Sequence, residues 1–140
     1  MTTYEKKPLI YLAGPYSSPY TALMKERESI HAIVAVELKK QGNAVYCPIA
    51  ETVTLAQLGG LSGTSWEDWR QHDLNLLSRC DQIYVLLIDG WKESLGVRGE
   101  VKFALKNHMP VYFINQEVDT VFGTDTLRMF GVTNIEELND

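Results

Sequence analysis

The sequence predicts a single-domain α/β sandwich, with a mostly parallel sheet of four or five strands between two helical layers. Three observations carry this. Four short apolar runs, rich in β-branched and aromatic residues, alternate with longer segments of helical periodicity. The runs are continuous rather than alternating, which suits strands covered on both faces. Finally, 140 residues with 45% hydrophobic content, and no linker, repeat or low-complexity segment, make one ordinary domain over residues 1–140.

Each element has its own signal. Leu9-Ile10-Tyr11-Leu12-Ala13 is the first strand, closed by Gly14-Pro15. Over residues 20–41, Leu23, Ile30, Val34 and Leu38 recur at helical spacing, and Gly42 follows as a C-terminal stop. Ala44-Val45-Tyr46-Cys47 is the second strand, stopped by Pro48. Residues 65–80 form a helix that opens with Ser65 and, three positions on, Asp68, a capping box. Residues 83–88 are the most apolar strand, and residues 96–107 a third helix with Pro110 beyond its end. Val111-Tyr112-Phe113-Ile114 is the last strand. Strand, helix, strand repeated in this way implies right-handed crossovers and a Rossmann-like (flavodoxin-like) three-layer arrangement. Ligands of such folds sit outside the carboxyl ends of the strands. Here those ends are residues 14–18, 48–50 and 89–96.

Composition narrows the function classes. Lys and Arg total 13 against 18 Asp and Glu, a formal charge of −5 with no basic run. Binding to a nucleic acid polymer rests on phosphate neutralisation, so it is not expected. No apolar stretch approaches the roughly 20 residues that span a bilayer. Residues 1–8 are polar and lack the apolar centre of a signal peptide. Cys47 and Cys80 are too few for a disulfide scaffold and have no metal-ligand spacing. The expectation is a cytoplasmic domain that handles a small molecule, without membrane or metal.

Two carboxylates fall where apolar side chains belong. On the second helix Trp66, Trp69, Leu76, Leu77 and Cys80 form one stripe, and Asp73 sits inside it, four residues after Trp69. On the third helix Val97, Val101, Ala104 and Leu105 face inward, with Glu100 among them. An inward carboxylate costs several kcal/mol unless it is paired, hydrogen-bonded or neutral. Alone, Asp73 reads more simply as a group reaching solvent or making a structural hydrogen bond. Glu100 alone reads equally as a helix-dipole acid. Together, near strand ends, they are a candidate acid/nucleophile pair.

Other positions carry less. Gly14-Pro15-Tyr16-Ser17-Ser18 offers a turn, backbone donors and hydroxyls ahead of a helix, an arrangement that holds phosphate or simply turns the chain. Ser94-Leu95-Gly96-Val97 has the same two readings. His31, His72 and His108 share no spacing, and His72 falls on the polar, solvated side of its helix. Trp66, Trp69 and Trp91 read as core or lid packing rather than base-stacking platforms, and Met24, Met109 and Met129 as core filler. Gly59-Gly60-Leu61-Ser62-Gly63 reads as a mobile loop, a candidate lid.

Three blocks resemble a known family. Ile10-Tyr11-Leu12-Ala13-Gly14-Pro15 is similar to the opening of the nucleoside 2-deoxyribosyltransferase superfamily. The run from His72 through Asp73-Leu74 to Cys80-Asp81 resembles that family's Asp-Leu block ahead of the central strand. Ser94-Leu95-Gly96-Val97-Arg98-Gly99-Glu100 resembles its 2'-deoxynucleoside 5'-phosphate N-hydrolase branch, in which the Glu is the nucleophile. The likeness covers residues 8–114, and the chain as a whole is closer still to short bacterial and phage relatives without an assigned activity.

The resemblance implies roles. Glu100 would attack the sugar C1', Asp73 would act as acid/base towards the departing base or the sugar hydroxyls, and Tyr11 would orient Glu100 by a hydrogen bond. Gly14, Pro15, Tyr16, Ser17, Ser94 and Gly96 would form the substrate-binding positions, with Gly14, Ser94 and Gly96 at the 5'-phosphate. The reaction implied is hydrolysis of the base–sugar bond of a (deoxy)nucleoside 5'-monophosphate. Base exchange between nucleosides is the alternative, or a nucleotide-sensing module that has kept the pocket and lost turnover. No metal or organic cofactor is implied. Relatives are dimers or tetramers, so a homodimer or homotetramer is expected, with residues 119–140, Asn115 and Met129 as candidate contacts to a neighbour's site. Two departures stand out. The hydrolases carry Ser and Arg where this chain has Pro15 and Ser17, leaving Ser18, Arg27 or Arg98 as replacements. The transferases have Asp six residues before the Glu, where this chain has Ser94.

Overall fold

Strand β1 (Leu9–Ala13) forms where the first apolar run lies. The computed structural model describes residues 3–61, 65–123 and 125–138. After β1 come α1 (Thr21–Lys40), β2 (Ala44–Tyr46), α2 (Pro48–Leu58), α3 (Trp66–Leu77) and β3 (Gln82–Leu86). Then follow α4 (Leu95–Lys106), β4 (Val111–Ile114), β5 (Val121–Phe122), α5 (Thr126–Met129) and a 3-10 turn, Ile135–Leu138. The strands make one sheet in the order β2-β1-β3-β4-β5. All pairings are parallel except β4 with β5. This is the Rossmann-like α/β fold expected, and its strand order reverses between β1 and β3. The crevice outside the carboxyl ends of those two strands is therefore the topological switch point, where such folds bind ligands.

Successive residues of a strand point to opposite faces, so both alternating sets must be apolar when both faces are covered. Tyr11, Ala13, Ile83, Val85 and Phe113 face one core with Leu77 of α3 and Val97, Val101 and Ala104 of α4. Leu12, Leu86 and Ile114 face the other with Val34 and Leu38 of α1. The continuous apolar runs in the sequence are the sum of these two sets. No helix among the described residues is long and apolar enough to cross a membrane.

Several local expectations hold and several do not. Gly42 follows α1 at φ +96°, the left-handed conformation that ends a helix at little cost in glycine. The Ser65 N–H donates to the Asp68 carboxylate at 2.8 Å, the reciprocal half of the capping box. The most apolar run ends as a strand at Leu86, two residues earlier than expected: Leu87 N–H still donates to the Ile114 carbonyl at 2.9 Å, and Ile88 N–H then turns back to the Leu86 carbonyl at 2.9 Å. Pro48 does not merely stop β2; it opens α2 at the position where a missing N–H costs nothing. Glu51 then accepts the Cys47 N–H at 2.7 Å. The fifth strand, β5, was allowed for but not located, and α5 and the 3-10 turn were not expected, all three being two to four residues long and without a periodic signal.

Candidate active site

Tyr11 sits in the middle of β1 on the α3/α4 face and is fully buried. Its hydroxyl donates to Glu100 Oε2, which α4 brings down from its second turn. Asp73 comes from the buried face of α3, which packs on α4. Glu100 is 5% exposed and Asp73 8%. Thus both carboxylates lie in the core, and Tyr11 and Glu100 meet across 89 residues of chain.

Burial dominates the electrostatics. It pushes the Glu100 carboxyl up to about 8, with the Tyr11 hydrogen bond opposing and the Asp73 charge adding to the rise. Asp73 is raised by burial as well, while His72 beside it pulls the other way. Tyr11 is raised well above the phenol range by burial, then by the charges of Glu100 and Asp73. The Asp73 charge therefore acts on both members of the Tyr11–Glu100 pair. Two carboxyl groups buried together, the charge of one raising the other, form a pair whose proton affinities are set by the low-dielectric site.

His72 is exposed on the outer side of α3, as expected, and it also has a partner. Its side chain is 47% exposed, and Nδ1 lies 3.1 Å from Asp73 Oδ1 while the ring meets Trp69 edge-on at 5.3 Å. The sequence reading also missed Tyr46. Register pairs it with Tyr11 on the neighbouring strand, and the two rings lie 5.8 Å apart. Its phenol is raised by burial and next by the charge of Asp73, which marks it as part of the same cluster. Alternation was the available signal: Tyr46 follows Val45, which faces the other core.

The residues expected at the phosphate stand in the turn after β1 and at the start of α4. Gly14 and Pro15 are buried, Tyr16 is half-buried and Ser17 exposed. A Cβ on Gly14 would stand 2.4 Å from His31 Nε2, so this glycine is required by packing. His31 is fully buried under the turn, its Nδ1–H donating to the Arg27 carbonyl at 2.7 Å. Ser94 caps α4, its hydroxyl oxygen accepting the Val97 N–H at 3.2 Å. Gly96 lies against Trp66, whose Cε3 would be 3.5 Å from an added Cβ. Arg27 and Arg98 both turn to backbone. Arg27 donates to the carbonyls of Tyr16 at 3.3 Å, Ser17 at 3.0 Å and Asp89 at 3.1 Å. Arg98 donates to those of Lys92, Glu137 and Leu138. Ser18 accepts the Tyr20 N–H at 3.1 Å.

Of the remaining candidates, Asn115 is tied to Asp119 and Thr120 within its own turn, and Met129 packs at the edge of the α4-side core. Cys47 and Cys80 are free and buried thiols, pushed up to about 12 and about 11 by burial. Of the lid reading, Ser62 and Gly63 lie outside the described residues. Two open clefts flank the carboxyl edge. One of about 400 Å³ on the α1 side is lined by Leu23, Arg27, Asp89 and Glu117. One of about 640 Å³ on the other side is lined by Trp91, Lys92 and Arg128. Neither is lined by Tyr11, Asp73 or Glu100. Both carboxylates lie inside the core rather than in either cleft. Among the described residues, no group of three or more His, Cys, Asp or Glu is placed to hold a metal ion.

The family model described as a domain of unknown function, DUF1937, matches residues 8–116. That span contains Tyr11, Tyr46, Asp73 and Glu100. No curated protein matches the chain.

Proposed function

The chain belongs to the DUF1937 family, and from the chemistry of its carboxylate pair we propose that it is an N-glycosidase acting on a (deoxy)nucleoside 5'-monophosphate. The hydrogen bond from Tyr11 to Glu100, with Asp73 buried on the helix that packs against α4, is the observation that carries this reading. It supports a retaining double displacement. Glu100 as the anion attacks C1' while the electron pair of the C–N bond leaves with the base. The proton that Glu100 gives up in becoming that anion passes to Asp73, which delivers it to the departing base. Asp73, now a carboxylate, takes a proton from water, whose oxygen attacks C1' and releases Glu100. The products are the free base and the sugar phosphate, so atoms and charge balance without a cofactor.

Tyr11 has a defined part in this scheme. Glu100 must be ionised to attack, yet burial holds it towards the neutral form. The Tyr11 O–H stabilises the anion in place and orients the attacking oxygen. Ser94 at the start of α4 favours hydrolysis over base exchange, since the resembling transferases carry an acid there.

The test is incubation with a panel of nucleoside and deoxynucleoside monophosphates, following free base by chromatography. Glu100→Ala and Glu100→Gln are the controls. Base release by the parent chain that is lost in both variants is expected. Release unchanged in the variants overturns the mechanism. Tight nucleotide binding without any release over long incubation would make the site a sensor instead.

A further inference from the structure

One buried donor has no acceptor. Trp66 Nε1 is enclosed, and among the described residues it has no hydrogen-bond partner. Leaving such a group unpaired costs about 1–3 kcal/mol, so an orphan in a native fold requires a reason. Its position supplies one. Trp66 is the first residue of α3, and its ring lies over Gly96, 3.5 Å from where a Cβ of that residue would stand. Gly96 is one turn before Glu100 on the same face of α4, and Asp73 is two turns after Trp66 on the same face of α3. The indole therefore stands at the outer end of the seam between α3 and α4 that holds both carboxylates.

Resting on the N-glycosidase reading above, we propose that Trp66 recognises the base of the substrate, its indole N–H donating to an acceptor atom of the ring. Displacement at C1' requires the nucleophile and the leaving group on opposite sides of that carbon. With Glu100 attacking from α4 and Asp73 protonating the departing base from α3, the base lies along α3. Among the described residues, Trp66 is the one on that face whose buried donor has no acceptor. Such a donor selects bases bearing an exocyclic oxygen or an unprotonated ring nitrogen at the matching edge. It rejects a ligand that lacks one, because its N–H then stays unpaired. The packing role expected for Trp66 accounts for its ring but not for its nitrogen.

The experiment is equilibrium binding to the full chain by calorimetry, with nucleoside monophosphates of each base and with ribose 5-phosphate, which has no base. The proteins are the parent chain, Trp66→Phe, which keeps an aromatic body without the N–H, and Trp66→His, which restores an N–H. Proton–nitrogen NMR of the indole N–H signals provides a second readout on the parent chain itself, independent of whether a variant folds. Loss of the N–H should weaken at least one base-bearing ligand by about 5–10-fold and leave ribose 5-phosphate unchanged, with part of the loss recovered in Trp66→His. The Trp66 indole N–H signal should move downfield with that nucleotide and stay put with ribose 5-phosphate. Nucleotide binding with the same affinity in Trp66→Phe, or an unmoved Trp66 signal on saturation, overturns the assignment and leaves the N-glycosidase reading standing. Absence of any nucleotide binding to the parent chain overturns both.

Discussion

Replacing Glu100 with Gln should make the protein less sensitive to alkali, by an amount the structure sets. Gln keeps the shape and the acceptor oxygen for Tyr11 but cannot ionise. In the folded chain the Glu100 carboxyl is pushed up to about 8, from 4.5, chiefly by burial. Unfolding returns it to its ordinary value, so between those two limits the folded state binds more protons than the unfolded one. The stability associated with neutral Glu100 is thus fully present below about pH 4.5 and is lost as pH rises through about 8. At about 1.4 kcal/mol per pH unit, a scan from about pH 5.5 to 8.5 should cost the parent chain about 3–4 kcal/mol relative to Glu100→Gln. That is a large share of the 5–15 kcal/mol typical of a domain. The assay is urea unfolding of both proteins at fixed ionic strength across that range. Every other titrating group is common to both chains, so the difference reports residue 100 together with its coupling to Asp73 and Tyr11. A difference that stays flat with pH would refute the reasoning, since it would mean that Glu100 ionises at its ordinary value. A difference of opposite sign would show a carboxylate held charged by its neighbours.

Three further outcomes follow from the geometry. Tyr11→Phe removes the bond that favours the Glu100 anion, so the ascending limb of the pH–rate profile for base release should move to higher pH. At pH 7 the rate should fall by about 10-fold or more, and an unmoved limb would assign Tyr11 to packing alone. Gly14→Ala places a methyl group against His31, with an expected loss of about 1–3 kcal/mol by thermal or urea unfolding. Adding His31→Ala should recover part of that loss rather than sum with it, because the two sites are in contact. Finally, Cys47 and Cys80, buried and with thiols raised to about 12 and about 11, should react slowly with a disulfide reagent near pH 8 and rapidly in urea. Rapid labelling of the folded chain would show that this part of the core opens.

How much of this was legible in the sequence depends on the range of the interaction. The strand runs and the stripes of α3 and α4 are local patterns, and they placed Asp73 and Glu100 correctly in the core. The meeting of Tyr11 with Glu100 was accessible only through the family resemblance, because periodicity does not say which strand faces which helix. Tyr46 was passed over for the same reason, its link to Tyr11 being a matter of strand register. Pro48 has two local meanings, an end for a strand and a start for a helix, and only the fold chooses between them. Gly14 illustrates a different limit. The sequence reads it as a phosphate turn or a simple turn, whereas the close approach of His31 from α1 is what demands a glycine. The hydroxyl of Ser94, similarly, is engaged in capping α4.

The Arg27 fork has a consequence for how this protein tolerates change. All three of its partners are main-chain oxygens, contributed by Tyr16, Ser17 and Asp89. Main-chain oxygens survive any substitution, so those three positions are free to drift in identity without loosening the two loops that frame the switch point. Arg27 has no such freedom, because only a planar guanidinium spans both loops at once. The side chains at the rim of the crevice can therefore be exchanged to suit a new ligand while its frame stays in place, and one arginine carries the cost of that latitude.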